Sequence, residues 1–534
     1  MNIRIHGHEP RDDQVSEILF IDDPVRIRES YSRYLLDESR FQEGHTDGIW
    51  FPRCERQVRD ILVQAGRNRI PLTPSAARTG ILGGAVPCGG HILSLDQMQR
   101  ILSAEADDTG IWRITLEPGV NLDRLSRFLD SNGTDEKESF PGTSGFLSVS
   151  DQWFYPPDPT EMSAHLGGTV ATDASGSRSF FYGPTRNHVY GLRVVLVNGT
   201  VLELKRGMSV RAGERIEFPG PGGSLYLTIP PFNRKRIKNT AAYHLDDPLD
   251  LVDLFIGSEG TLGVITEITV DLSRKPVSLL GAVCFFKQEI QAIRFARRIR
   301  QENRNRNSVI TACALEYFDQ QSLFLLRERS PYATRVRDGA MAAIYIEQDM
   351  SNAPLEEILT AYDRLLQEQG SSLETAWGAW DARSLREMKD FRHAVPEIIN
   401  RIIEEHRVRC PAIHKIATDL VVPGHRFEEI MAVYRKEAED ADLEYVIFGH
   451  IGESHVHVNL LPLDEVELDR AKAVSILLSR KAVQLGGSVS GEHGIGKIKK
   501  ELLKIMFTDA ERSKFRSVKN ALDPHGLLSP GTLF

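Results

Sequence analysis

Three histidines lie close together near the C-terminal end of the chain. The stretch 448–459 reads F-G-H-I-G-E-S-H-V-H-V-N and contains His450, His455 and His457. Residues 456–461 have the pattern of a strand, on which residues two apart point to the same face. The glycines on both sides of His450 allow a turn that returns its imidazole to that face.

A carboxylate and a further imidazole follow at 491–496, G-E-H-G-I-G, which contains Glu492 and His493. Neutral imidazoles with one carboxylate are suitable ligands for Zn, Mn or Fe. A further imidazole beside such a metal can act as a base. From these residues alone, a divalent-metal site, a surface histidine cluster and a buried hydrogen-bonded network all remain open.

The composition is typical of a globular protein of more than one domain. A chain of 534 residues exceeds one ordinary core, so two or three domains are expected. The net charge of −9 argues against a nucleic-acid partner. No apolar run reaches the roughly 18 residues of a transmembrane segment, and no apolar signal segment begins the chain, so a cytoplasmic protein is expected. The five cysteines lie far apart without a C-x-x-C, which argues against an Fe–S cluster or a disulfide scaffold.

The first half of the chain has the small-residue segments that could hold a flat, phosphorylated ligand. After a charged arm at 1–45, with helical spacing at 27–41, a β-α-β unit is predicted from residue 48, with its helix at 55–68. The loop P-S-A-A-R-T-G-I-L-G-G-A at 74–85 leaves backbone N–H groups uncovered for an anion such as a pyrophosphate. A tight turn without function is the alternative.

Two further segments in this half stand out. Residues 155–198 are rich in Gly, Ala, Ser and Thr, which lets the backbone lie against a planar ligand, although a functionless loop is equally compatible. Residues 206–247 are interpreted as an inserted loop with a basic patch.

After about residue 274 strands alternate with amphipathic helices. Strands are predicted at 279–286, 342–347, 418–422 and 445–448. Helices are predicted at 289–301, 355–369, 426–439 and 465–484. Such alternation is typical of an α+β domain with an antiparallel sheet.

Eight motifs, in order, resemble those of the FAD-linked dehydrogenases of the vanillyl-alcohol-oxidase/p-cresol-methylhydroxylase superfamily, in the branch of D-lactate, glycolate and D-2-hydroxyglutarate dehydrogenases. They are P-S-A-A-R-T-G-I-L-G-G-A, P-P-D-P-T-E-M-S-A-H-L-G-G-T-V-A-T-D-A-S-G, Y-G-P-T-R-N, K-N-T-A-A-Y, G-S-E-G-T-L-G-V-I-T-E, F-G-H-I-G-E-S-H-V-H-V-N, S-G-E-H-G-I-G-K and D-P-H-G-L-L-S-P-G. The resemblance implies an α+β fold, with a two-part PCMH-type FAD-binding domain and an α+β cap domain containing the antiparallel sheet.

The resemblance also implies domain bounds. The FAD domain would comprise residues 46–275, with the insert 206–247. The substrate cap would comprise 276–500, and the C-terminal segment 501–534 would return to the FAD domain.

The resemblance implies non-covalent FAD and a set of residues that hold it. The pyrophosphate loop would be Ser75, Ala76, Ala77, Arg78, Thr79 and Gly80. The flavin and ribityl chain would lie against Asp158, Ser163, Ala164, Gly168, Thr169, Ala171, Thr172 and Ala174. The adenine and ribose side would be held by Glu259, Gly260, Gly263, Val264 and Ile265.

The same resemblance implies the reaction site. His450, His457 and Glu492 would hold the divalent metal, and His493 would be the catalytic base, with a pKa near the working pH. Arg392 would bind the substrate carboxylate. Lys415 is a second candidate for that role, although its spacing to the following D-L-V-V-P departs from the family pattern.

Three departures from the family pattern concern the ligand sites. Ser75 and Arg78 stand where Arg and Gly are usual, so Arg78 either adds its charge to the pyrophosphate or narrows the loop. His455 falls in Glu-Ser-His where Asp-Gly-Asn is usual, and it is either an extra metal ligand or an outward-facing substitution. Ser529 replaces an Asn in the tail motif.

The expected activity is oxidation of a D-2-hydroxy acid to the 2-oxo acid by hydride transfer to flavin. Electrons would pass to a partner Fe–S protein, an electron-transfer flavoprotein, a quinone, a cytochrome or oxygen, so attachment to the inner membrane through a partner is an alternative location. A homodimer is also open. The alternatives in function are a non-catalytic flavin subunit of an electron-transfer complex and an ether-lipid synthase resembling alkylglycerone-phosphate synthase. The synthase family has a histidine where this chain has Glu492.

Overall fold

The structure is a computed structural model that describes residues 2–4, 7–8, 17–41, 44–131, 140–148 and 151–534. Its sheets fall into two groups along the chain, one before and one after about residue 275. Within the described part of the chain, none of the helices combines the length and apolarity that crossing a membrane requires.

A four-stranded sheet carries the strand that leads into the predicted phosphate loop. Its strands, in order, are Leu19–Ile21, Gly48–Phe51, His91–Ser94 and Leu72–Ser75. The last three are mutually parallel, which requires a crossover connection between Gly48–Phe51 and Leu72–Ser75. Helix Glu55–Asn68 makes that crossover and buries its apolar stripe, so the predicted β-α-β unit is confirmed.

A five-stranded antiparallel sheet forms the second layer of this half. Its strands, in order, are Val201–Lys205, Val189–Val195, Val264–Asp271, Trp112–Leu116 and Ile101–Ala106. Helices Leu122–Asp130, Leu166–Thr172 and Leu251–Phe255 also belong to this half. A hairpin at Asn198 and Gly199 joins the first two strands, with Gly199 at a φ of 80°.

The segment 206–247 is more regular than the predicted loop. Strands Arg215–Phe218 and Leu225–Thr228 pair with each other, and Asn2–Arg4 adds a third strand in parallel. Ser209–Val210 pairs with Leu249–Asp250. The interpretation as an irregular loop is therefore wrong for much of this segment, which contains a local hairpin and two pairings with strands distant in sequence.

A seven-stranded sheet carries the histidine stretch. Its strands, in order, are Trp377–Ala379, Leu279–Phe286, Ala342–Asp349, Ala312–Asp319, Tyr445–Gly449, His457–Leu460 and Ile416–Ala417, and neighbouring strands are antiparallel. Its long helices are Glu289–Glu302, Gln320–Arg329, Leu355–Gln367, Ala382–Arg409, Phe427–Asp440 and Glu465–Gln484. The predicted antiparallel α+β architecture is confirmed.

Three local expectations are corrected. The strand predicted at 418–422 is instead Ile416–Ala417, followed by isolated bridges at Val421. The helix predicted at 27–41 is the shorter helix Pro24–Ser30 followed by a 3₁₀ turn at Ser32–Tyr34. The 28-residue helix Ala382–Arg409 was not predicted, because Pro396 inside it has no N–H to donate and is a helix-breaking signal in a sequence.

The C-terminal segment crosses back to the four-stranded sheet. After helices Lys500–Met506 and Asp509–Leu522, the tail runs beside strand Leu72–Ser75. The N–H of Leu72 donates to the carbonyl of Leu527, and the N–H of Ser529 donates to the carbonyl of Leu72. The tail therefore lies at the base of the predicted phosphate loop.

Candidate active site

Two adjacent strands place His450 and His457. Strand Tyr445–Gly449 pairs with His457–Leu460, with Phe448 opposite His457. Gly449 has a φ of 128°, and a Cβ there would lie 3.0 Å from Cδ2 of His457. Glycine is thus required where the chain turns into His450, and the turn brings the two imidazoles to a ring-centroid separation of 5.6 Å.

Asp419 holds the loop that carries Glu492 and His493. Its carboxylate accepts hydrogen bonds from the backbone N–H of Glu492 at 3.2 Å and of His493 at 3.1 Å. It also accepts from the Ser490 hydroxyl and from the Lys499 ammonium. These bonds satisfy backbone donors that burial would otherwise leave unpaired, and they fix the direction of both side chains.

The imidazoles of this loop and hairpin converge on one oxygen of Glu492. Its Oε1 lies 3.2 Å from Nε2 of His450, 3.2 Å from Nε2 of His457 and 3.5 Å from Nε2 of His493. The other oxygen, Oε2, accepts from the Ser175 hydroxyl at 3.0 Å and from the Lys238 ammonium at 3.1 Å. Oε1 is therefore the oxygen that faces His450, His457 and His493, whereas His455 is on the side of Oε2.

Second partners fix which nitrogen of each ring faces Glu492. Nδ1 of His450 lies 2.7 Å from Oε1 of Glu316, and Nδ1 of His457 lies 3.0 Å from the carbonyl oxygen of Thr418. An acceptor at Nδ1 keeps the proton there and directs the Nε2 lone pair inward. Two imidazole nitrogens and a carboxylate oxygen within these distances fit a divalent cation.

The charges of the site favour cation binding. Burial alone lowers the pKa of His450, but Glu316 and Glu492 more than offset this and raise it to about 10. Burial would raise the pKa of the Glu492 carboxyl, yet His450 and Lys238 hold it well below its usual range. Without a metal, a proton on His450 balances the carboxylates, and a bound cation would take the place of that proton.

His493 is the most accessible of the four imidazoles, with 29% of its side chain exposed against 8% for His450 and 12% for His457. Its ring lies nearly parallel to that of His457, at a centroid distance of 5.4 Å. Burial lowers its pKa to about 4. The expectation of a pKa near the working pH is thus corrected, and His493 is neutral at pH 7, the form that can accept a proton.

His455 is fully buried, so the alternative of an outward-facing substitution is wrong. Its ring lies 4.8 Å from that of His457, on the same side of the chain as predicted. Four residues can each offer one ligand atom to a metal here, and these atoms all lie within 4.8 Å of one another. The residues are Asp419, His455, His457 and Glu492.

Helix Ala382–Arg409 brings Arg392 to the edge of this cluster. Its Nε lies 3.5 Å from Oε2 of Glu316, whose other oxygen contacts His450. That Nε has no hydrogen-bond partner among the described residues. The neighbouring Arg178, by contrast, is committed to Glu347 at 2.8 Å.

Lys415 is placed differently from Arg392. Its ammonium donates to Oδ1 of Asn400 at 3.1 Å, on helix Ala382–Arg409. Over the described ranges, no hydrogen bond or ion pair joins it to His450, His457 or Glu492.

Sequence reasoning missed Lys238, Asp419, Glu316 and Ser175. Lys238 and Asp419 fall in recognisable motifs, K-N-T-A-A-Y and D-L-V-V-P. Nothing local, however, indicates that they lie beside Glu492.

Arg78 in the predicted phosphate loop has a φ of 63° at the position where the family pattern has glycine. Its guanidinium lies 3.4 Å from Asp96 and 4.1 Å above the ring centre of Tyr34. Asp96 balances the charge of Arg78, and the side chain folds away over the N-terminal arm. Ser75 ends the preceding strand, and Ala76, Ala77, Thr79 and Gly80 complete the loop.

The small residues predicted to face the flavin lie around helix Leu166–Thr172, which contains Gly168, Thr169, Ala171 and Thr172. A Cβ at Gly168 would lie 3.5 Å from that of Ala76, so this helix and the phosphate loop are neighbours. Asp158 accepts from Ser177 and from the backbone of Arg178, and so holds the turn that follows Ala174. Ala164 is buried and Ser163 is exposed.

The residues predicted for the adenine side lie at the start of strand Val264–Asp271 and in the turn that precedes it. The Glu259 carboxylate accepts from the N–H groups of Ile495 and Gly496. Gly260 has a φ of 69°. Gly263 leads into strand Val264–Asp271, and a Cβ there would lie 2.7 Å from Val194. Val264 and Ile265 are buried in that strand.

Two family models match the sequence. The model described as the FAD binding domain matches residues 46–137 and 148–205. The model described as the C-terminal domain of FAD linked oxidases matches residues 278–533. The chain belongs to the FAD-linked oxidases, and it is a flavin-dependent oxidoreductase.

Similar proteins cover nearly the whole chain. Glycolate oxidase subunit GlcD of Bacillus subtilis (strain 168) is 26% identical over 506 residues, which are 94% of this chain and 92% of that protein. D-lactate dehydrogenase of Anaerostipes hadrus is 27% identical over 488 residues, which are 89% of this chain and 87% of that protein.

A solved structure also resembles the chain. An alkyldihydroxyacetonephosphate synthase matches with a TM-score of 0.60 and 16% identity, covering 96% of this chain and 82% of that one. This likeness concerns the fold, and the predicted PCMH-type architecture is confirmed.

Proposed function

We propose that this chain oxidises a D-2-hydroxy acid to the 2-oxo acid, with non-covalent FAD as the hydride acceptor and a divalent cation held by His450, His457 and Glu492. The observation that carries the proposal is the convergence of two Nε2 atoms on Glu492 Oε1, with His493 beside them on the accessible side. The relatives named glycolate oxidase subunit and D-lactate dehydrogenase support the substrate class. Zn, Mn and Fe all suit the ligands.

The two groups of sheets would have different roles, one in binding FAD and the other in binding the substrate. We assign residues 46–275 and 501–534 to the FAD domain and 276–500 to the substrate cap. The pairing of the tail with Leu72 supports the first assignment. FAD would lie along the loop 75–80 and helix Leu166–Thr172, since these neighbouring segments offer it only backbone and small side chains where Gly168 approaches Ala76.

Each polar residue of the cap side has a separate task. Arg392 binds the substrate carboxylate, because its Nε lacks a hydrogen-bond partner and its guanidinium lies next to the cluster. Glu316 contacts both Arg392 and His450, so it ties the carboxylate-binding group to the cation ligand. Lys415 is the weaker candidate because it is bonded to Asn400 on the helix surface.

His493 removes the hydroxyl proton. It is neutral at pH 7, it is partly exposed, and the contact of its Nδ1 side with Asp419 at 3.5 Å orients the ring. When bound, FAD supplies the acceptor for the hydride from the α-carbon, and the cation supplies a Lewis acid that favours the deprotonated hydroxyl. The substrate thus loses one proton and one hydride, and the 2-oxo acid remains.

Reduced flavin must pass its two electrons on. An Fe–S protein, an electron-transfer flavoprotein, a quinone, a cytochrome or oxygen could take them. The cysteines of this chain are free thiols without a shared cluster, so an external acceptor is proposed.

The test measures anaerobic reduction of the flavin, monitored through the loss of flavin absorbance. D-lactate, L-lactate, glycolate and D-2-hydroxyglutarate are added separately, with and without prior chelation. One D-acid, or glycolate, should bleach the flavin, and chelation should abolish the effect. His493→Gln should slow the reduction about 10²- to 10⁴-fold without loss of FAD. His425→Asn, at an exposed histidine of the same cap, is the matched control.

A yellow protein that none of these acids bleaches would overturn the proposal. It would favour the alternative of a non-catalytic flavin subunit. Bleaching that survives complete removal of the metal would refute the role of the cation but retain the hydride transfer.

A further inference from the structure

His455 is a buried imidazole whose Nδ1 has no hydrogen-bond partner among the described residues, while its Nε2 faces Asp419. Its side chain is fully buried, at 0% exposure. A Cβ on Gly491 would lie 2.8 Å from its Cε1, so close packing fixes the ring. Burying an imidazole nitrogen without a partner costs free energy, so Nδ1 of His455 is the nitrogen open to a ligand.

The surroundings of the ring identify where that ligand would be. Nε2 of His455 lies 3.0 Å from Oδ1 of Asp419, and Nδ1 lies 3.9 Å from Oε2 of Glu492. The ring centroids of His457 and His450 are 4.8 and 5.5 Å away. His455 therefore stands beside the same carboxylate and the same two imidazoles that form the proposed cation site.

Asp419 suits the role of a positioning residue better than that of a ligand. Its two oxygens already accept from Ser490, Lys499 and the backbone N–H groups of Glu492 and His493. A carboxylate held in this way keeps the proton of a neighbouring imidazole on the near nitrogen and leaves the far nitrogen free to bind a metal. In His455 the near nitrogen is Nε2, and the far nitrogen is Nδ1 on the Glu492 side.

We propose that His455, oriented by Asp419, is a further ligand of the cation that His457 and Glu492 hold. The proposal rests on the cation site of the proposed function. It changes the ligand set from two imidazoles and a carboxylate to three imidazoles and a carboxylate. Such a nitrogen-rich set favours Zn²⁺, Fe²⁺ or Co²⁺ over Mg²⁺ and Ca²⁺.

The first experiment measures Zn²⁺ affinity of the flavin-containing protein by competition with a chromophoric chelator, without substrate. The variants are His455→Asn, His457→Asn and the surface control His425→Asn. Loss of the fourth ligand in His455→Asn should weaken Zn²⁺ binding by more than about 10- to 100-fold, which is the typical cost of removing a residue that only orients a ligand. His457→Asn should weaken it at least as much, and His425→Asn should leave it unchanged.

The second measurement uses the unmutated protein, so its result does not depend on whether a variant folds properly. Crystals of the unmutated protein loaded with Zn²⁺ would locate the ion by its anomalous signal. A His455 nitrogen at about 2.1 Å from the ion is expected. A distance beyond about 3 Å would overturn the proposal.

The two results separate this inference from the proposed function. If His457→Asn loses Zn²⁺ while His455→Asn binds it as tightly as the parent, the proposed cation site is supported and the role of His455 as a ligand is refuted. If neither variant affects Zn²⁺ binding, the proposed cation site itself is wrong. Weakened binding in both, with the short distance in the crystal, supports both statements.

Discussion

Replacing Lys238 by methionine should destabilise the cation-free protein and at the same time strengthen its binding of a divalent cation. The ammonium of Lys238 lies 2.6 Å from Glu453 Oε2 and 3.1 Å from Glu492 Oε2. Only 8% of its side chain is exposed, so water does little to screen these pairs. Methionine keeps a flexible apolar side chain of similar length and removes the charge together with the hydrogen bonds that the ammonium donates.

The magnitude follows from the distances. At about 3 Å and an effective dielectric of about 20, each pair amounts to roughly 5 kcal/mol of Coulomb energy before desolvation. Breaking a buried ion pair by removing one partner typically costs about 3–5 kcal/mol, because the other charge stays buried. The cation-free Lys238→Met protein should be less stable by about that amount.

Binding of a divalent cation should restore part of the stability that the Lys238→Met protein has lost. Without the ammonium, Glu492 and Glu453 attract a divalent ion more strongly. A gain of about 1.4 kcal/mol would tighten binding about tenfold. At a Zn²⁺ concentration of about 100 times the Kd of the parent, ligand linkage stabilises the parent by about 2.7 kcal/mol and the variant by about 4.1 kcal/mol.

The assay is the urea midpoint of unfolding, measured with chelator and with Zn²⁺, for the parent, Lys238→Met and Lys235→Met. Lys235 is the matched control because it is in the same segment and, among the residues that the structure describes, its ammonium donates a hydrogen bond only to the carbonyl of Gly487, at 3.2 Å. We expect the control to stay within about 1 kcal/mol of the parent in both conditions. A chelated Lys238→Met protein as stable as the parent, or one that gains no more from Zn²⁺ than the parent, would refute the reasoning.

Three further outcomes are expected. Arg193→Met should lower the free energy of unfolding, measured with urea, by about 3–5 kcal/mol. The reason is that Arg193 donates two buried hydrogen bonds to Glu55, whose carboxylate would stay buried without this partner. Adding Glu55→Gln to the same variant should restore part of the lost stability. Burial raises the pKa of Asp319 to about 6, so the native state binds more protons than the unfolded state between about pH 4 and pH 6. Stability should therefore fall by about 3 kcal/mol as pH rises through this window, and the urea midpoint of Asp319→Asn should lack that component of the slope. Arg392→Lys should raise the KM for the hydroxy acid more than it lowers the limiting rate of flavin reduction, because a lysine cannot bind the carboxylate in a bidentate manner; an unchanged KM would remove Arg392 from the substrate site.

Much of the architecture can be predicted from periodicity. Helix Glu465–Gln484 has the predicted bounds, and strand Leu279–Phe286 does too, because apolar spacing in these segments directly reflects which face is buried. The spacing of His450, His455 and His457 likewise predicts that they lie close together, although only His457 is on a strand and the turn at 451–453 brings the other two beside it. Helix Ala382–Arg409 was missed because Pro396 gives a local signal that tertiary packing overrides.

The partners of these histidines depend on contacts between residues hundreds of positions apart. Ser175 and Lys238 reach Glu492 from the first half of the chain, and no local pattern predicts such a meeting. The burial of His455, the low pKa of His493 and the separation of Lys415 from the cluster follow from the same packing. Sequence spacing determines which side chains share a strand or a turn, whereas desolvation and charge pairing arise only when distant elements close around them.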